Sequence, residues 1–273
     1  MQAKQIIVGF IIISTFINCT TNKITGRKQL NLVPESEMQT MALSQYKSFL
    51  STNKVVAANN ANALMVKRVG SKIAAAIQQY YASQNNANAL SNYKWEFNLV
   101  ENNEVNAWCM PGGKVVVYTG LLKVTQNETA LAIVLGHEIT HAVAGHGAER
   151  MSRLMALQGI QIVGNAALNT NPEVVNVFNQ LYPIGSQTIG VLPNSRTQEY
   201  EADKFGLIFA AMAGYNPQEA ISFWQRMAAL SNNNQKPPEF LSDHPSDENR
   251  IIKLQEIMPE AMKYYNNAGT KPK

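Results

Sequence analysis

His137-Glu138-Ile139-Thr140-His141 decides how the rest of this 273-residue chain is read. On a helix the two histidines, four residues apart, share one face, so both rings can reach a single metal ion. Glu138, one step after the first ring, then stands beside whatever water that metal holds. The chain carries only four histidines, so two at this spacing around a glutamate carry weight. The plainer alternative is a helix with two surface histidines and a solvated glutamate. The pentapeptide predicts a helix built for metal-assisted hydrolysis.

Thr125-Gln126-Asn127-Glu128 matches a capping box, with glutamate three residues after threonine, and sets the expected start of that helix. Leu131, Val134 and Leu135 carry its inner face. Gly136 precedes the first histidine, where the missing side chain lets a neighbouring backbone approach the metal. A tolerated packing glycine, costing under about 1 kcal/mol relative to alanine, is the alternative. His146, nine residues beyond His137, falls on nearly the opposite phase from a ligand reached by one more turn. The metzincin pattern needs histidine at position 147, which is glycine, so that class is excluded and a further ligand must come from elsewhere.

Catalytic zinc sites take three protein ligands and leave one position for water. Two neutral imidazoles and one carboxylate leave net positive charge at the metal, which lowers the pKa of water there toward about 7. Manganese or iron fits such a donor set less well. The carboxylate candidates lie in Arg196-Thr197-Gln198-Glu199-Tyr200-Glu201-Ala202-Asp203. This stretch opens a helical segment that ends at Gly214, before Asn216-Pro217. Glu199 and Asp203 share a face, while Glu201 points elsewhere. Either of the pair can ligate while the other accepts a proton from a ligating histidine. A solvated acidic helix start is the alternative.

Outward from these helices, residues 36–50 read as one helix and 62–79 as another, with Val66, Val69, Ile73 and Ile77 at helical spacing. The Asn- and Ala-rich stretches between them read as loops. The period then changes. Trp95, Phe97 and Leu99 alternate with Glu96 and Asn98 as a half-buried strand. Pro111-Gly112-Gly113 marks a turn between Ala107–Met110 and Lys114–Tyr118. The expected class is α+β, mainly helical, with a small antiparallel sheet directly before the motif helix. A hydrophobic content of 45% supports one sizeable core. The net charge of +4 is scattered, which argues against nucleic-acid binding.

The first nineteen residues stand apart. Lys4 precedes the apolar run Ile6 to Ile13, which is short for a membrane span, and Cys19 closes it. This resembles a bacterial lipoprotein signal, although Asn18 stands where a small residue is usual. An ordinary cleaved signal or an uncleaved anchor are the alternatives. Residues 1–18 are thus expected as a signal peptide, with Cys19 lipidated and the protein exported. Cys109, between Trp108 and Met110, then has no partner and reads as a buried thiol.

Taken together, H-E-x-x-H and S-R-x-x-E-x-E-A-D resemble the zinc metallopeptidases of the HtpX, BepA and CAAX-prenyl protease type (metallopeptidase family 48). Thr25-Gly26-Arg27-Lys28-Gln29-Leu30, Asn106 to Gly113 and His244-Pro245-Ser246-Asp247-Glu248-Asn249-Arg250 agree. The likeness runs over residues 25–256, expected as the catalytic domain, with 257–273 as a C-terminal tail. It is nearest to the BepA- and LoiP-like periplasmic lipoproteins, because no further apolar span is present. The resemblance implies a zincin (gluzincin) fold with the small sheet packed on the active-site helix. It implies one Zn2+ per chain, held by His137, His141 and Glu199, with Asp203 behind a ligating histidine.

The resemblance also puts His244 close to the zinc, as a resting cap or an oxyanion donor; a loop histidine fixed by Pro245 is the alternative. Glu138 is the general acid–base, and Arg250 or His244 supplies charge near the oxyanion. The edge strand at Asn106, Ala107 and Trp108 holds an extended substrate. The segment from Tyr182 to Asn194, with Gly185 and Gly190, reads as a lid or a plain connecting loop. The implied role is cleavage of unfolded or misassembled envelope proteins in the periplasm, from a lipid anchor on the outer membrane and with its assembly machinery as partner. A catalytically quiet chaperone-like module is the alternative from another class. A prenyl-protein protease is disfavoured by the missing spans.

Overall fold

A computed structural model describes residues 19–160, 168–182, 195–233, 240–241, 244 and 249–269. The strand alternation yields β3 (Glu96–Val100), β4 (Ala107–Met110) and β5 (Lys114–Tyr118), after a two-stranded antiparallel hairpin of β1 (Cys19–Thr21) and β2 (Lys28–Leu30). The three-stranded sheet has the order β3-β5-β4. β4 pairs β5 antiparallel through the Gly112–Gly113 turn, whereas β3 pairs β5 in parallel, Glu96 opposite Lys114 and Val100 opposite Tyr118. The expected antiparallel sheet is therefore mixed. Alternation fixes which face a residue takes, but not which neighbour a strand pairs with or in which direction. The Val-Val-Val run of β5 is buried on both faces, as a central strand requires.

The sheet separates two cores. Val115 and Val117 face a large cluster with α2 (Ala61–Ser83), α4 (Glu128–Val143) and α7 (Arg196–Met212). Val116 and Tyr118 face a smaller one with α1 (Glu35–Thr52), α5 (His146–Leu157) and α6 (Pro172–Leu181). A short α3 (Thr119–Thr125) leads into α4, and α8 (Glu219–Asn233) and α9 (Arg250–Gly269) follow α7. Residues 257–269, expected in a tail, continue α9, and Ala261 is buried in the large cluster. Among the described residues no helix is long and apolar enough to cross a membrane.

The motif helix α4 is buried from Ala130 to Ala142, so it is apolar on every side except where its histidines meet polar partners. Its start differs from the expected capping box. Thr125 ends α3, Gln126 adopts a left-handed conformation, and the Asn127 side chain accepts from Ala130 N. Asparagine at the cap is as effective as threonine, and it lies one residue before the helix proper. α7 opens on a capping box between Ser195 and Gln198.

α4 and α7 cross at two glycines. A Cβ on Gly136 would lie 2.5 Å from Gly206 O, and one on Gly206 would lie 2.6 Å from His137 N. The close backbone at Gly136 is thus that of α7, and this contact brings the carboxylates of α7 to the histidines of α4.

Candidate metal centre

His137, His141, Glu199 and His244 are all buried, and among the described residues one donor atom from each lies within 4.8 Å of all the others. His137 Nε2 and His141 Nε2 are 3.0 Å apart. His244 Nδ1 is 3.1 Å from His137 Nε2 and 3.1 Å from Glu199 Oε1. The carboxylate of Glu199 lies 3.4 Å from Nε2 of each motif histidine. Glu201, two residues on, is not in this cluster; it faces His146 and Arg27. His244 Nε2 lies 3.4 Å from Glu138 Oε1, so Glu138 stands at the edge of the cluster.

The outer nitrogens of the two histidines are each engaged. His137 Nδ1 is 3.0 Å from Asp203 Oδ1, and a carboxylate only accepts, so His137 carries its proton there and turns a lone pair inward at Nε2. His141 Nδ1 is 2.9 Å from His146 Nδ1, and His146 Nε2 is 3.0 Å from Glu201 Oε2. Glu201 accepts from His146, which leaves the His146 Nδ1 lone pair to accept from His141. His141 therefore also turns a lone pair inward. Two lone pairs 3.0 Å apart repel unless a cation lies between them. Among the described residues, buried Glu199 Oε2 has no hydrogen-bond partner. This donor set fits a metal ion held by imidazole and carboxylate.

Electrostatics agree with that fit. Burial raises the Glu199 carboxyl, but His244 and His141 outweigh it and hold the group well below its ordinary range. Burial pushes His141 well below its usual value, which keeps the ring neutral. His137 is also disfavoured by burial, yet the Asp203 and Glu199 carboxylates beside it raise it overall. A bound cation would take the place of that extra proton. Burial, with the nearby Glu138, lifts the Cys109 thiol well above its usual value, so it is no thiolate donor.

Other expectations fare differently. Arg250 lies on α9 behind His137: its Nη2 is 2.6 Å from Asp203 Oδ1, and its guanidinium stacks 3.4 Å over the Trp224 ring. Arg250, expected to supply charge near an oxyanion, thus stands against the His137 ring, with Nη2 also 3.6 Å from Glu199 Oε2. β4 is an edge strand, and Asn106, Ala107 and Trp108 line a cleft with Glu138, His141 and Tyr182. Of the lid segment expected over 182–194, all but Tyr182 lies outside the described residues, as does the signal segment 1–18. His146, off-phase for a ligand, is outside the donor cluster but contacts His141. One continuous helix would not bring it there; Gly145 at φ +65° ends α4 and starts α5 afresh. Glycine there is the signal that reveals the break.

The model of peptidase family M48 matches residues 71–258. The chain is 32% identical over 240 residues to the mitochondrial metalloendopeptidase OMA1 of Schizosaccharomyces pombe, covering 87% of this chain and 66% of that protein. Against the mitochondrial metalloendopeptidase OMA1 of Homo sapiens it is 28% identical over 255 residues, 91% of this chain and 47% of that one. It is 32% identical over 169 residues to the beta-barrel assembly-enhancing protease of Yersinia pestis, 61% of this chain and 35% of that one. The chain thus spans from about a third to 66% of the length of these relatives. The mitochondrial relatives overturn the expected location, a periplasmic protein lipid-anchored to the outer membrane. Cys19 itself is exposed at the start of β1.

Proposed function

The chain belongs to peptidase family M48, and from that premise we propose that it is a zinc-dependent endopeptidase acting on unfolded or misassembled protein chains. The observation that carries this reading is the convergence of His137 Nε2, His141 Nε2 and the Glu199 carboxylate beside Glu138. His137, His141 and Glu199 would hold the zinc. When bound, the ion supplies Lewis-acid polarisation of a water molecule and of the scissile carbonyl.

The remaining steps belong to side chains of this protein. Glu138 takes a proton from the attacking water and delivers it to the leaving amine. Asp203 holds the Nδ1 proton of His137, and Arg250 holds Asp203 in turn. The open edge of β4 at Asn106, Ala107 and Trp108 would pair with the backbone of an extended substrate. Only a chain free to extend can pair in this way, which favours unfolded proteins over folded ones. A fourth protein ligand closes a catalytic zinc site, so His244 would act there as a resting cap.

Cleavage of reduced casein by wild type and by Glu138→Gln, with metal content measured on both, tests this function. Glu138→Gln is expected to keep its metal and lose activity by about 10²–10⁴-fold. Equal cleavage by the two proteins would refute the mechanism. No cleavage by metal-loaded wild type would favour a quiet binding module.

A further inference from the structure

Arg27 belongs to the Thr25–Leu30 stretch, which precedes the region matched by the family model and has no part in the mechanism above. Its guanidinium makes two forked pairs. Nε and Nη2 donate to the two oxygens of Glu201 at 2.7 and 3.0 Å, and Nη1 and Nη2 donate to those of Glu149, both at 2.8 Å. The Gln198 side chain also donates to Glu149 at 2.8 Å. A planar guanidinium between two carboxylates fixes both in orientation, which lysine cannot do.

From Arg27 the order of donors and acceptors is forced inward. Arginine only donates, so Glu201 accepts from it and has lone pairs left for His146 Nε2–H at 3.0 Å. The other nitrogen of that ring then accepts from His141 Nδ1–H at 2.9 Å. One tautomer of His141 is compatible with this chain, the one that turns Nε2 toward Glu199 and His137. The β1–β2 hairpin that carries Arg27 also seats the C-terminus of α4. Asn22 and Gln29 both donate to Ala144 O, at 2.5 and 3.1 Å, satisfying a carbonyl that the helix leaves unpaired.

We propose that Arg27 and Glu201, acting through His146, are positioning residues that fix the tautomer and orientation of His141 at the metal centre. The proposal rests on the metal-centre reading above. It makes the amino-terminal hairpin part of the site, three hydrogen bonds from His141. His137 has its own support in Asp203 and Arg250, so each motif histidine is held through a different carboxylate of α7.

The test uses the full chain as wild type, Arg27→Ala, Glu201→Gln, His146→Ala and the double variant Arg27→Ala/Glu201→Gln. Each is titrated with Zn2+ against a chromophoric chelator, and the visible spectrum of its Co2+ form is recorded. Each single variant is expected to bind zinc about 10–100-fold more weakly and to show an altered Co2+ spectrum, while far-UV circular dichroism is unchanged. The double variant should bind no worse than the weaker single variant, because both residues act along one chain. Arg153→Ala, which removes another partner of Glu149 that does not reach Glu201, should leave affinity and spectrum as in wild type. Glu201→Gln is isosteric and guards against an unfolding artefact in the other variants. Wild-type affinity and spectrum in folded Glu201→Gln and Arg27→Ala would overturn the proposal, as would additive losses in the double variant. Failure of wild type itself to bind zinc would instead remove the metal-centre reading on which it rests.

Discussion

At the scale of single residues, the contrast between Glu199 and Glu201 carries most of the chemistry. They are two positions apart on one helix, so they face opposite ways: Glu199 toward the imidazoles, Glu201 toward Arg27 and His146. Glu199 would supply a donor atom, whereas Glu201 acts through two intermediaries. Glu199→Gln is therefore expected to abolish stoichiometric zinc in the purified protein, while Glu201→Gln leaves a weakened but measurable site. Metal analysis after gel filtration, without added zinc and then with a modest excess, separates the two. Loss of metal from Glu201→Gln alone, with Glu199→Gln fully loaded, would reverse the ligand assignment.

Among the elements, the crossing of α4 over α7 decides whether the site exists. The motif histidines and the carboxylates of α7 meet because Gly136 and Gly206 let the two backbones touch beside His137. Gly206→Ala would put a Cβ 2.6 Å from His137 N, against backbone that has no side chain to move aside. Overpacking of this kind costs about 1–3 kcal/mol. The expected result is a fall in Tm of roughly 2–10 °C together with weaker zinc binding. Unchanged values for both would show that the crossing has slack. Gly70, where a Cβ would run into the Phe97 ring, plays a similar part between α2 and β3.

For the whole molecule, the metal site joins α4, α7, the segment around His244 and, through hydrogen bonds, the amino-terminal hairpin and α9. These pieces come together only in the folded chain, so a metal ion held there would bind the native state and stabilise it. At a free zinc concentration about 100 times the Kd the stabilisation is about 2.7 kcal/mol, and chelation should lower Tm by roughly 5 °C or more. Scanning calorimetry with and without chelator checks this, and an unchanged Tm would mean that no ion links the parts. Much of this arrangement was legible in the chain itself. Helical spacing alone set His137 and His141 on one face, and put Glu199 and Asp203 on another, because the helix repeat is a local property. The runs at Trp95–Leu99 and Lys114–Tyr118 announced strands for the same reason. What only the tertiary structure decided was which strand pairs with which, that α4 breaks at Gly145 and returns His146 to His141, and that Arg27 closes on Glu149 and Glu201 from more than a hundred residues away. Side-chain periodicity follows from the geometry of one segment, whereas pairing and long-range hydrogen bonds depend on how separate segments compete to bury their apolar faces and satisfy their polar groups.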